Sequence, residues 1–193
     1  MSETPTFRLG TPDWECRYPV LVGGDVIGAA FRWHRDWLIL SSEGERNLGR
    51  PEKGEHGVDM AAARLADMYA VGRVTAMSLA DVVAPVPVLV EPVPLLHPRM
   101  PYNRRNVDTA KAVLATLKEH CWTPYTGFPG SDNPWWQRCD LCGWQGPRYW
   151  SHQRGRNGQQ PSTHRHPAST NPPAPAGCLG DEKVRAAIAA YRD

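Results

Sequence analysis

The sequence predicts an α+β protein in two parts: a small β-meander plus helix domain over 1–83, a Pro-rich linker over 84–103, and a cysteine-bearing module over 104–193. Three observations lead there. Alternating apolar runs broken by glycine turns fill the first forty residues, six prolines crowd into 83–101, and four of the five cysteines lie in the second half.

Strands are expected at 18–22 and 26–33, on either side of Gly23-Gly24-Asp25, because glycine accepts the positive φ of a tight hairpin turn. A third strand at 37–40 follows His34-Arg35-Asp36 and completes a meander. Residues 41–57 are polar and Gly-rich and read as loop. Over 58–71, Val58, Ala61, Ala62, Leu65, Met68 and Tyr69 recur at spacings of three and four, the stripe of an amphipathic helix, and Gly72 stops it. That helix can cover one face of the meander. The prolines of 83–101 each remove a backbone donor and fix φ, so neither a helix nor a central strand fits there. The valines and leucines between them suggest an extended segment lying against a surface.

The second part opens with a helix over 107–119, with Val107, Ala110, Val113, Leu114 and Leu117 as its apolar stripe and Asn106 as the expected N-cap. Residues 153–177 are rich in Gly, Gln, Pro and Ser and read as loop. A closing helix over 181–192 places Val184, Ile188 and Tyr191 on one side. Cys16, alone in the first part, is expected to be a small buried hydrophobe.

No run of about 18 apolar residues is present, so no membrane span is expected. The start of the chain lacks the basic and apolar regions of a signal peptide, which makes a cytoplasmic protein the default. Charge is unevenly placed. Residues 1–100 hold 10 Lys/Arg against 13 Asp/Glu, whereas residues 101–170 hold 9 against 4, with four His besides. The basic excess thus accompanies the cysteines. Arg makes up 18 of the 22 basic residues of the whole chain, so its use here says little by itself about phosphate recognition.

Clustered cysteines in a reducing compartment are more often metal ligands than disulfides. Cys139 and Cys142 frame Asp140-Leu141 and are followed by Gly143. Two intervening residues let both thiolates turn toward one ion, and the glycine permits the tight turn beyond. A structural zinc takes four ligands. Cys121, just past the first helix, and Cys178, just before the last, are the expected partners of Cys139 and Cys142, and His152 or His166 could replace either. A redox dithiol would normally open a helix, which Gly143-Trp144-Gln145-Gly146-Pro147 does not. So many Pro, Gly and Ser between 123 and 177 leave little core, and zinc binding would supply folding energy. The run from Trp136 to Gly146 resembles the knuckle of zinc-ribbon and treble-clef domains, over residues 120–180. That resemblance implies a zinc-stapled module with strands beside the knuckle, and no particular activity. A second two-cysteine knuckle, or two ligands on a final helix, is absent from the sequence.

Five of the eight tryptophans lie between Trp122 and Trp150, interleaved with arginines. Aromatic planes beside guanidinium groups can stack bases and neutralise phosphates. Arg138, Arg148, Tyr149, Arg154 and Arg156 are therefore the candidate nucleic-acid contacts. The expected function is a non-catalytic zinc-binding accessory protein that contacts nucleic acid. A protein–protein adaptor, with the tryptophans as core, is the alternative. A metal-dependent nuclease is a third, weakened because no carboxylate stands near His164 and His166 in sequence.

Overall fold

The structure is a computed structural model that describes residues 6–155 and residue 166. It is α+β, and the chain divides after Val86 into two compact units. The described residues form a five-stranded and a three-stranded antiparallel sheet with four helices.

In the first unit, β1 (Phe7–Leu9), β2 (Tyr18–Val22), β3 (Asp25–Trp33), β4 (Asp36–Ser41) and β5 (Gly44–Gly49) pair in sequence order, each antiparallel to the next. Gly23, at φ 62°, and His34, at φ 56°, make the first two hairpin turns. Two strands exceed the expected three. β5 lies where a loop was expected: its first four residues are exposed, so no apolar alternation marks it. Its ladder to β4, from Trp37↔Gly49 to Ser41↔Gly44, rests on the backbone. β1 is only three residues long, too short to show a period.

Helix α1 (Gly57–Ala70) packs on β3 and β4 as the stripe requires. Ala61, Ala62, Leu65, Ala66 and Met68 are buried with Val20, Ile27, Ala30 and Ile39, while Val58 and Tyr69 flank them. The Tyr69 hydroxyl donates to Asp25 at 2.6 Å, which ties the end of α1 to the start of β3. Gly28 is where that packing is tightest. A Cβ there would sit 2.1 Å from the Leu40 carbonyl oxygen and 2.8 Å from Leu65 Cδ2, at a φ of 145°. Only glycine lets the sheet and helix approach so closely. Cys16 is half-buried, at φ 60° in a turn where its N–H donates to the Asp13 carbonyl, rather than a buried core residue.

A short helix α2 (Leu79–Val82), capped by the Ser78 hydroxyl, buries Val82. Beyond it the Pro-rich stretch has no regular element, and Val86, Val88 and Val90 are exposed. Its near end lies against the first unit, where Ala84 is buried with its N–H donating to Asp13 Oδ2, and the Trp14 indole N–H donates to the Pro85 carbonyl. Its far end lies against the second. Leu95 and Leu96 pack on the second unit's core, where the Phe128 N–H donates to the Leu95 carbonyl at 3.1 Å.

The second unit begins with α3 (Arg104–Glu119), three residues earlier than its apolar stripe suggests. Asn103 is the N-cap: its side chain accepts the N–H of Asn106, the residue expected to cap. Ala110, Val113 and Leu117 face a core of Trp122, Phe128, Trp135 and Trp144. The sheet is β6 (Trp122–Pro124), β7 (Trp135–Cys139) and β8 (Gln145–Arg148), and a single turn, α4 (Trp150–Gln153), follows it. Buried aromatics carry this small core, since each ring removes about 150–250 Å² from water. Trp135 meets Phe128 edge-on at 5.3 Å and donates its indole N–H to the Thr126 carbonyl. Gln137 and Gln153, both buried, exchange amide hydrogen bonds at 2.8 and 3.3 Å, pinning α4 to β7. The expected closing helix over 181–192 lies outside the described residues. No helix of the described residues is long and apolar enough to cross a membrane.

Candidate metal centre

Helix α3 ends at His120, and Cys121 at φ 57° swings the chain into β6. β7 runs antiparallel to it and finishes on Cys139, opposite Trp122. The chain then turns through Asp140, Leu141, Cys142 and Gly143 into β8. Two backbone bonds close this turn: Gly143 N–H to the Cys139 carbonyl and Cys139 N–H to the Trp144 carbonyl, each 2.8 Å. Gly143 sits at φ 76°, the conformation for which the sequence needs glycine after the second cysteine.

The turn brings Cys139 and Cys142 together, and His166 joins them. Their sulfur and ring-nitrogen atoms all lie within 4.8 Å of one another, a group that could hold a metal ion. Cys142 Sγ is 3.4 Å from His166 Nε2. Cys139 is fully buried, and the other two are half-buried. Aromatic rings hold the imidazole. It stacks on Trp144 at 4.6 Å and 13°, and Trp122 meets it edge-on at 5.9 Å. Trp122 and Trp144 are themselves perpendicular at 6.1 Å, so the two indoles form a corner around His166.

Cys121 is not a member of the group, and Cys178 lies outside the described residues. His152, on α4, is exposed with its ring 5.2 Å from Tyr149. Burial pushes the Cys121 thiol up from its ordinary range, and the charge of Asp140 adds to this. A raised thiol stays neutral to higher pH, and only the thiolate attacks an alkylating agent. In metal-loaded protein, iodoacetamide should therefore modify Cys121 slowly at pH 8, with a rate that climbs through a midpoint above about 8.5. Peptide mass spectrometry reads this directly. Protection that does not vary with pH would mark Cys121 as a ligand instead.

The expected nucleic-acid contacts are scattered in their surroundings. Arg138 donates through Nε to Asp140 Oδ1 at 3.0 Å, and this bond raises its pKa above the ordinary arginine value. The Arg148 guanidinium lies over the Trp122 ring at 5.6 Å, a cation–π contact. Tyr149 precedes α4 as its N-cap residue, and Arg154 is exposed at its far end. Arg156 lies outside the described residues. Asp140 and Thr123 were not singled out from the sequence. Thr123 meets Asp140 only through strand pairing, which the spacing of the cysteines does not show.

Fold and site together define an α+β chain whose second unit brings two cysteines of a β-hairpin turn together with one histidine from further along the chain. In comparisons with known proteins the chain matches no family model, no curated protein and no solved structure.

Proposed function

We propose that the second unit is stapled by a structural zinc ion through Cys139, Cys142 and His166, with Cys178 as fourth ligand. On this reading the chain is a non-catalytic accessory protein that contacts nucleic acid through the same unit. The observation that carries the zinc reading is the separation of sulfur and nitrogen. Tetrahedral zinc with bonds of about 2.3 Å to sulfur and about 2.0 Å to nitrogen sets those two atoms about 3.5 Å apart. Cys142 Sγ and His166 Nε2 stand at 3.4 Å. Two thiolates favour zinc over the hard ions magnesium and calcium, which prefer oxygen. His166 then takes the place given to Cys121, one of the replacements that the sequence leaves open.

The nucleic-acid reading is supported by the basic excess of residues 101–170. Arg154 is exposed, and the Arg148 guanidinium lies over an indole, 5.6 Å from its ring centroid. Each phosphate neutralised releases counterions, so affinity should fall steeply as salt rises. Replacing Arg148, Arg154 and Arg156 by Ala should flatten the slope of log K against log salt by up to about three units, with zinc content unchanged. A titration of DNA and RNA binding measures it. Absence of binding to either at low salt, with zinc present, would refute this half of the proposal.

The adaptor reading is favoured by one observation: Trp122, Trp135 and Trp144 are buried, which removes them as stacking platforms. A protein partner would then take the surface assigned to nucleic acid.

A further inference from the structure

Asp140 stands between the two knuckle cysteines, and its bonds run to the sheet beneath and to Cys121, the residue that leads into it. Its N–H donates to the Cys121 carbonyl at 2.8 Å. Its carboxylate accepts from the Thr123 hydroxyl, at 3.0 and 2.8 Å to the two oxygens, and from Arg138 Nε at 3.0 Å. Thr123 and Arg138 are themselves cross-strand partners on β6 and β7. One residue of a four-residue turn is therefore fastened at three points: to one side chain on each of two strands, and to Cys121 just before β6.

That fastening matters because the two ligands differ in support. Cys139 is the last residue of β7 and buried, so the sheet fixes it. Cys142 is half-buried and lies beyond the strand, and its direction depends on the turn. Asp140 and Arg138 retain about a third of their side-chain exposure, so their ion pair contributes little to stability by itself. Its consequence is geometric. Contacts that orient metal ligands change metal affinity by about 10–100-fold when lost.

We propose that Asp140 is the positioning residue of the metal centre: bonded to Thr123, Arg138 and the Cys121 carbonyl, it holds the turn so that Cys142 meets Cys139 and His166 at metal-binding separation. This rests on the metal reading above. It also gives Arg138 a role inside the module, in place of the phosphate contact expected of it.

The test uses the full chain, with zinc affinity measured by competition against a chromophoric chelator and ligand geometry read from the cobalt(II) absorption bands. Asp140→Ala should weaken zinc binding about 10–100-fold and shift the cobalt bands, because the thiolate angles relax. Loss of affinity with an unaltered cobalt spectrum would reduce Asp140 to a merely stabilising residue and overturn the proposal. Thr123→Val should weaken binding in the same sense, and the double variant should bind no more weakly than Asp140→Ala, since the two act through one contact. Wild-type affinity in Asp140→Ala, or independent losses that multiply in the double variant, would also overturn it. Should Asp140→Ala fail to fold, Thr123→Val decides alone: weakened binding supports the role, and wild-type affinity refutes it. Failure of the wild-type chain to bind zinc or cobalt is a separate result, which removes the metal reading and this inference with it.

Discussion

Cys139→Ser is expected to reduce zinc from about one ion per chain to none and to unfold the second unit. Cys139 is fully buried among Trp122, Trp135 and Trp144, so under the proposed zinc site it would be ligand and core residue at once. Serine offers a hydroxyl that binds zinc poorly and leaves a polar group among indoles. A structural zinc contributes about 10–16 kcal/mol of apparent binding free energy to a small domain that folds around it. Losing most of that is comparable with the whole of the about 5–15 kcal/mol by which an ordinary domain is stable. Metal analysis and the near-ultraviolet circular dichroism of the tryptophans read the two consequences separately. Cys142→Ser should behave alike. Cys16→Ser, in the first unit, should keep full zinc occupancy. A Cys139→Ser chain that retains its ion would sink the site as described.

What could be read from the sequence was what is local and periodic. Helix α1 announces itself because burial on one side repeats every three or four residues from Ala61 to Met68, and the first hairpin because Gly23 accepts a left-handed turn. Strand β5 stayed hidden because an exposed edge strand needs no apolar face, and its partner is backbone. The start of α3 was misplaced by three residues because its first turn is exposed, and both Asn103 and Asn106 can cap. At the site the same rule holds. Cys139 and Cys142 were legible because one turn holds both. His166 could be named only as one of two replacements, since 24 residues separate it from Cys142 and its fit depends on the indole corner of Trp122 and Trp144. Two of the rings that looked like base-stacking candidates, Trp122 and Trp144, are the wall of that corner. Asp140 left no trace in the sequence, because its partners Thr123 and Arg138 meet it only once β6 and β7 pair.

Chelation of the full chain is expected to melt one unit and spare the other. The two apolar clusters share no residue: Val20, Ile27, Ile39 and Leu65 belong to the first, Leu117, Trp122, Phe128 and Trp135 to the second. The first is a five-stranded sheet closed by a helix, and none of its residues belongs to the metal group. Its stability comes from burial of aliphatic surface and should not change when zinc is removed. In the second, the proposed ion would hold the histidine side of the core, and its loss would remove folding energy that the short strands β6 and β8 cannot replace. Five of the eight tryptophans belong to this unit, so fluorescence reports mainly on it. With excess chelator at room temperature, emission should shift to the red while far-ultraviolet circular dichroism keeps the first unit's share. Heating should then show one remaining cooperative transition, at the temperature seen for the first unit in zinc-loaded protein. Hydrogen exchange should keep the amides of β3, β4 and α1 protected and release those of β7 and α3. Loss of protection in both sets at once would show that the two cores unfold as one, and that zinc holds the whole chain rather than its second unit.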